Sequence, residues 1–558
     1  MEASPPSPHT FNNLFPVELI RRMFQELAYE RHPRIGQDLL PPYHWLTITH
    51  VCRYWRNIAL DDATLWQCLE IPHAECLRAF IARSKKLPLY VMCFRAWEDS
   101  DDDGNLMRII IPELYRVAVF IWSRCDDRYF GQVLQILVSH ARSLEHLEVC
   151  PPTRGHSCGS AGLVDLEVFD KPPPYLTHFK SEKCAAMLLK SLTGCPRLRT
   201  LDVTSPNPTP SANDWLTILS SLPTLETLRL YQAISDAAGH TDDRGLPSVR
   251  VHLAFLSQLS VRGSWDSRNV GEVALLERLS TGRPISLHCE FYCRMTVDTC
   301  QRGVRAVDAL LSRYPRRCAY MHMYVEVGLF EVIVRQGTPT PWSCEHGDNI
   351  TEPLRVRLDP DILLYLVISS GYRMQREVAQ GISRMLASSY SLSDVQDLRL
   401  TYGVADAFHA DFERYLQCCC ESLFRAMGGV RTLSLTNRCH SYTRPTGLAL
   451  PLALELDLFT TPTQDVLFPN LQLLHLQHWE SGPTNVYSDG FAEIVPYVRK
   501  RAQQGHPINS IHLCRPEGGE IRVTGVELGA HLTFCDGTVN TSITESSSSE
   551  CLPEETPM

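Results

Sequence analysis

Short alternating apolar runs recur along this chain in the frame L-x-x-L-x-L, and no other feature restricts its fold as strongly. The clearest copies are Leu144/Leu147/Val149, Leu198/Leu201/Val203, Leu225/Leu228/Leu230, Leu256/Leu259/Val261, Val395/Leu398/Leu400, Val430/Leu433/Leu435, Leu471/Leu474/Leu476 and Ile508/Ile511/Leu513. Weaker copies sit at Leu87/Tyr90/Met92, Val117/Phe120/Trp122 and Leu176/Phe179. The last two apolar positions of each frame alternate along a strand and point inward, while the residues between them face out. The leading position closes the turn into the strand. Between copies lie stretches of helical spacing at Phe130–Ala141, Ala212–Ser221, Gly271–Leu279, Arg305–Arg313 and Asp411–Ala426. No strand with its returning helix can bury its own apolar face, so such units are expected to stack into one α/β array. Between Cys318 and Leu392 the frame is weakest, and YMHMYVEVGLFEVIVRQG reads as two longer strands and a turn.

Ahead of the array the periodicity is helical. Pro16 can open a helix, because its missing N–H has no intrahelical use there, and Glu18 in the first turn meets the positive end of the dipole. Leu19, Ile20, Met23, Phe24 and Leu27 then fill an arc of roughly 140° at 100° per residue. A second pattern, WLTITHVCRYWRNIALDDATLW, places Ile48, Val51, Cys52, Trp55, Ile58 and Ala59 on one face. About fifty residues cannot hide both apolar faces from water, so part of that surface must meet the rest of the chain or another protein.

The N-terminal residues resemble an F-box. The resemblance rests on Phe15-Pro16-Val17-Glu18-Leu19-Ile20, Met23-Phe24 and Leu27, then Val51-Cys52-Arg53-Tyr54-Trp55-Arg56, Ile58-Ala59-Leu60 and the closing Leu65-Trp66. Phe15 stands where Leu is usual, and the insertion Arg31–Tyr43 is longer than in the commonest members. The resemblance implies docking on a Skp-family adaptor, and through it on a cullin. The adaptor-binding residues would be Pro16, Leu19, Ile20, Met23, Phe24, Leu27, Val51, Cys52 and Trp55. With the array included, most of the chain is similar to F-box proteins carrying leucine-rich repeats, of the fungal F-box-like type. The Asn or Cys usual after the third leucine is mostly replaced, by Thr204, Tyr231, Arg262 and Thr401 among others. An irregular horseshoe-shaped solenoid is therefore expected.

The resulting division is a leader at 1–10, an F-box-like domain at 11–70, the solenoid at 71–535 and a Ser/Glu-rich tail at 536–558. The leader carries Ser4-Pro5 and Ser7-Pro8, and the tail lacks the apolar content to fold. Ser546–Ser549 followed by Glu550 suits an acidophilic kinase. In the array the residues flanking the inward leucines include Arg199, Arg229, Arg399, Gln472 and His475, which the frame displays on the strand-lined face as the expected target-binding surface. Arginine there would favour an acidic or phosphorylated segment. Plain solubility explains the same residues equally well.

Other chemistries find little support. A net charge of −10 does not favour nucleic acid, whose phosphates need a basic patch. The N-terminus lacks a secretory signal, and no apolar run approaches the roughly twenty residues that span a bilayer. A cytoplasmic or nuclear location is expected, without membrane contact. There, twenty-one cysteines without a repeating frame read as small buried hydrophobes. The sequons at Asn349 and Asn540 would stay unmodified there. EDSDDDG at Glu98–Gly104 opens like a calcium loop from Asp99, but its twelfth position is Ile110, which cannot ligate. His288, Cys289, Cys293 and Cys300 lack the C-x-x-C spacing of a zinc site, and Cys418-Cys419-Cys420 would diverge around a helix. No cofactor or metal is expected, and no catalytic activity. The expected function is substrate recognition for a ubiquitin ligase. The alternative is an interaction scaffold that never joins one.

Overall fold

The computed structural model describes residues 15–29, 43–70, 74–93, 108–123, 137, 142–150, 173–183, 189, 192–206, 208–235, 250–263, 270–291, 297–314, 316–326, 329–336, 362–369, 376–403, 423–438, 466–477, 497–513 and 531–534. The leader, the tail, Glu98–Gly104, Cys418–Cys420, Cys293, Phe130–Ala141 apart from Leu137, and 411–422 lie outside them, while the end of the stretch expected at Asp411–Ala426 is described and helical from Leu423 to Ala426. The chain divides into two compact units. One comprises Met1–Ala233 with Leu253–Phe255, the other Ile234–His252 with Leu256–Met558.

The first unit opens with α1 (Val17–Tyr29) and α2 (Arg53–Asp61). Pro16 stands just outside α1, where its carbonyl accepts from the Leu19 and Ile20 amides at 3.0 and 3.2 Å. The expected single second helix is two pieces: a 3-10 segment His44–His50, then α2. Cys52 separates them with extended backbone, φ −158° and ψ 170°, and caps α2 by accepting from the Trp55 amide through Sγ at 3.4 Å. The break resets the helical phase, so the common face expected from Ile48 to Ala59 does not form. A 3-10 turn at Ala63–Trp66 and α3 (Ala74–Arg83) complete the helical part.

The strands of this unit among the described residues are β1 (Cys68–Glu70, ahead of α3), β2 (Leu89–Cys93), β3 (Val117–Ser123), β4 (His146–Cys150), β5 (His178–Glu182), β6 (Thr200–Thr204) and β7 (Thr227–Tyr231). Each pairs in parallel with the next. Parallel neighbours require a crossover between them. Before β7 that crossover contains α4 (Ala212–Ser220), opened by a capping box in which Ser211 and Asp214 satisfy each other's backbone amides.

The frame explains the burial. Leu198, Leu201 and Val203, and likewise Leu225, Leu228 and Leu230, are buried, while Thr200, Asp202, Thr227 and Arg229 between them are half-buried. The leading residue is fixed by an i→i−3 bond: Leu198 N–H donates to Cys195 O at 3.2 Å, Leu225 to Leu222 O at 3.3 Å. One residue later, Arg199 N–H donates to Thr177 O and Glu226 N–H to Arg199 O, so each copy hydrogen-bonds the same place in its predecessor. At β2 the expected frame is displaced. Leu89 and Val91 are buried and Met92 is buried as expected, whereas Leu87 and Tyr90 are half-buried, and the register with β3 shifts between Leu89 and Tyr90.

The second unit contains β8 (Val251–Leu253, its last residue in the first unit), β9 (Gln258–Arg262), β10 (Leu279–Thr281), β11 (Ser286–Phe291), β12 (Arg316–Arg317), β13 (Tyr320–Glu326), β14 (Leu329–Arg335) and β15 (Ile362–Ser369). Then come β16 (Tyr390–Ser391), β17 (Asp397–Gly403), β18 (Thr432–Arg438), β19 (Leu473–Gln477), β20 (Ser510–Leu513) and β21 (His531–Phe534). Its helices are α5 (Val270–Arg278), α6 (Val297–Leu311) and α7 (Arg376–Ser389). Helix α6 starts eight residues before the stretch expected at Arg305–Arg313, because Cys300 and Val304 extend its buried face.

The strand order is β9-β11-β15-β14-β13-β17-β18-β19-β20-β21, parallel throughout except at β14. The two strands expected from YMHMYVEVGLFEVIVRQG are β13 and β14, antiparallel in full register. Strand β15 falls in a segment where the frame predicted no strand. It returns the chain beside β11, so this meander runs backwards before β17 resumes the parallel series next to β13.

Candidate functional site

The apolar face of helix α1 divides into a buried half and an exposed half. Ile20 and Phe24 are 3 % and 0 % exposed, and Phe24 meets Trp55 edge-on with ring centroids 5.2 Å apart. Leu19, Met23 and Leu27, spaced by four residues, are 50 %, 46 % and 40 % exposed. Ile20 and Phe24, expected at an interface, are therefore core residues of this unit. They are corrected accordingly: a side chain that is fully covered within its own chain has no surface to offer a partner. Of the remaining expected residues, Pro16 is exposed, Val51 is 60 % exposed, and Cys52 and Trp55 are half-buried. Phe15 and Tyr54 add exposed aromatic surface.

Polar bonds hold this arrangement together. Gln25 Nε2 on α1 donates to Asp62 Oδ2 at 3.0 Å and to Thr64 Oγ1 at 3.1 Å. Asp62 also caps the following 3-10 turn by accepting from the Thr64 amide at 3.0 Å. Arg56 Nε bridges the break at Cys52 by donating to Thr49 O at 2.8 Å. Behind them, Trp66 is buried and donates through Nε1 to Ala59 O at 2.9 Å. Its ring meets Trp45 and Phe80 at 5.2 and 4.8 Å, and the Arg83 guanidinium lies 4.3 Å over it. Phe80 and Arg83 on α3 had no part in the sequence expectation. The Asp62 cap was legible as a helix-start residue before Ala63–Trp66.

Residues 16–71 match the family model described as F-box-like. This segment is an F-box-like domain. No curated protein matches the chain. Within the F-box-like domain, Leu19, Met23 and Leu27 form an apolar stripe that stays about half exposed. Hydrophobic surface rimmed by charge, here Glu18, Arg22 and Glu26, is the usual mark of a protein-binding patch.

The residues expected to hold a target fall in both units. Arg199 and Arg229 belong to the first, Arg399, Gln472 and His475 to the second. The strand face of the first unit is not an open cationic surface, which corrects that expectation. Glu148, Lys180, Asp202 and Arg229 occupy matched positions on β4, β5, β6 and β7, so the charges alternate in sign across the sheet. Lys180 Nζ lies 2.6 Å from Glu148, Arg229 lies 3.5 Å from Asp202, and Arg199 lies 3.7 Å from Glu226.

Burial works against the Glu148 charge, but His146 and Lys180 outweigh it and hold the carboxyl below its usual range. Burial likewise opposes the Lys180 charge, and Glu148 outweighs it and raises that amine. Asp202 is raised by burial in spite of Arg229.

In the second unit Arg399 and His475 are separated by one strand, across Ser434 of β18. The His475 and His512 rings are 6.0 Å apart. Burial, with His512 and Arg399 adding to it, pushes His475 down to about 4, so it is neutral at physiological pH. Gln472 is exposed, and its carbonyl accepts from the Asn509 and Ser510 amides.

Among the described residues no group of three or more His, Cys, Asp or Glu could hold a metal ion. Cys289 lies in β11, as its alternation with Leu287 and His288 indicated. Burial pushes the thiols of Cys150, Cys195 and Cys318 up to about 12 and that of Cys300 to about 11, so these four are not thiolates at neutral pH. No helix among the described residues is long and apolar enough to cross a membrane.

Proposed function

We propose that this protein is a substrate-recognition subunit of a Skp–cullin–F-box ubiquitin ligase. The F-box-like domain docks a Skp-family adaptor, and the strand-rich body, an irregular leucine-rich-repeat solenoid, holds a target protein. The observation that carries this reading is the stripe of Leu19, Met23 and Leu27. It is held half-exposed on a helix whose adjoining residues, Ile20 and Phe24, are anchored within the chain. Half-exposed apolar side chains at one helical spacing are suited to a helix-packing partner, and desolvated anchors of this kind carry most of the energy of an interface.

The protein does no bond chemistry itself in this reading. It supplies proximity, holding a target lysine near a ligase-bound donor so that transfer becomes effectively intramolecular. A stiff body serves that purpose, since a loose connection lowers the effective concentration. Such a subunit works in the cytoplasm or nucleus. The test is affinity purification of the full chain from cells under proteasome blockade, with mass spectrometry of bound proteins. Recovery of an adaptor, a cullin and ubiquitin-modified proteins is expected. Recovery of partners without adaptor or cullin would instead favour a scaffold outside any ligase.

A further inference from the structure

A polar cleft of about 410 Å³ opens in the second unit at the edge where β13, β17, β18 and β19 begin. Its walls are the segments leading into those strands, with Gln336 just after β14. Those segments are tightly tied: Gln396 N–H donates to Ala319 O, Arg431 N–H to Gln396 O, and Asn470 Nδ2 to Gly428 O at 2.9 Å. Gly429 is pressed so closely on this wall that a Cβ there would overlap the Ser393 carbonyl. The cleft is therefore a built feature of the sheet edge.

Its charge is the informative part. The side chain of Arg431 is exposed and makes no hydrogen bond or ion pair among the described residues. Arg317 is 92 % exposed at its side chain and only loosely paired, 3.7 Å from Asp394. The guanidiniums of Arg229 and Arg262, by contrast, lie on carboxylates of neighbouring strands. Two guanidiniums bring ten N–H donors to one polar opening. A cleft of this size, polar rather than apolar, suits a short polar chain more than a compact hydrophobic ligand.

We propose that this cleft binds an acidic peptide segment, whose carboxylate or phosphoryl oxygens are taken by Arg317 and Arg431. Both oxyanions fit, because the planar guanidinium fork matches either in bidentate fashion. The inference rests on the reading of the body as the part that holds a target. One acidic segment lies within the chain itself, Glu545 to Glu555, with Ser546–Ser549 inside it and no Lys or Arg. From Phe534 to Glu545 an extended chain spans about 36 Å, enough to cross the roughly 15 Å between β21 and β18 and return along the short strand.

The experiment is an anisotropy titration of the full chain with a labelled peptide of residues 541–550. It is made in three forms: unmodified, with phosphoserine at 546–549, and with Glu545 and Glu550 replaced by Gln. The phosphorylated form should bind best, the unmodified form more weakly, and the Gln form not at all, each response weakening with added salt. Arg317→Glu with Arg431→Glu should weaken the phosphorylated peptide by at least about tenfold at unchanged melting temperature, as expected for losing charge-assisted bonds. Equal affinity for the Gln form, an unaffected double variant, or no binding of any form at about 1 mM would overturn the proposal.

A second arm identifies the natural source. If the full chain with Glu545, Glu550, Glu554 and Glu555 all changed to Gln binds the peptide more tightly than the natural chain, the cleft holds its own acidic segment. Equal binding assigns it to a segment from another protein. Adaptor binding is measured on the same samples. A chain that takes the adaptor but no acidic peptide overturns this inference alone, and the reverse outcome overturns only the ligase reading.

Discussion

Phe24 and Leu19 are five residues apart on one helix, yet replacing them should have opposite consequences. Phe24 is fully buried and stacks edge-on against Trp55. Truncation to Ala leaves a cavity and costs about 3–5 kcal/mol, including the aromatic contact. Leu19, Met23 and Leu27 already expose between 40 % and 50 % of their surface, so each gives folding roughly half the 1.5–3 kcal/mol of a fully buried side chain. A triple change to Ser should cost the fold about 2–4.5 kcal/mol in total by that measure, spread over three sites and within the stability of an ordinary domain. At an interface, where the same side chains become fully desolvated, three anchors at about 1–2 kcal/mol each weaken binding by about a hundredfold or more. Thermal melting followed by circular dichroism reads the first effect, and titration with a purified Skp-family adaptor reads the second. Phe24→Ala should lower the melting temperature clearly, whereas the triple variant should stay folded and lose the adaptor. A triple variant that binds as tightly as the natural chain would refute the reasoning, as would Phe24→Ala with an unchanged melting curve.

Other outcomes follow from the same structure. Leu228→Asp and Leu474→Asp each place a carboxylate in the fully buried row of a sheet, so soluble yield should collapse; normal purification of both would show the inward frame to be wrong. Arg501 is fully buried and donates to Leu467 O and Phe468 O at 2.8 and 3.0 Å; Phe468 O keeps the Leu471 amide, so Arg501→Met should cost about 1–3 kcal/mol in urea unfolding, chiefly through the Leu467 carbonyl. Lys180→Met leaves the buried Glu148 carboxylate with His146 and Cys150 alone and should cost about 1–3 kcal/mol near neutral pH. That loss should shrink on acidification: the lowered carboxyl contributes above its unfolded pKa, and the contribution disappears as pH falls through the lower folded value. His475 is held neutral, so the natural chain should lose stability as pH falls from its ordinary 6.5 towards about 4. His475→Gln should flatten that slope in a pH series of melting temperatures.

The repeated strands were legible because burial at the sheet has a period of two and every copy carries a leading apolar residue. Leu144, Leu198, Leu225, Val395 and Val430 are all buried as that frame requires. Strand β15 gave no such signal. Its run ILLYLVIS is apolar at nearly every position and pairs on both edges, so alternation was absent and a buried helix would read the same. At β2, Tyr90 fits the spacing but is half-buried; Val91 is the residue in register with the buried Leu69 and Phe120 of its neighbours.

The two halves of the apolar face of α1 could not be separated from periodicity. An arc of roughly 140° holds residues that pack within the unit and residues that stay exposed, and both kinds are apolar. The break at Cys52 carries neither Pro nor Gly, and Cys is not among the preferred capping residues, so the second helix read as continuous. Pairing of the strand-face arginines was hidden for a different reason. Asp202 and Arg229 are twenty-seven residues apart and meet only through the register of β6 on β7.

The most direct test of the account is calorimetric titration of a purified Skp-family adaptor into the full chain. One adaptor per chain, a dissociation constant in the micromolar range or tighter, and a negative heat-capacity change from burying the Leu19–Met23–Leu27 stripe are expected. No heat of binding at tens of micromolar, together with separate elution of the two proteins on gel filtration, would contradict it.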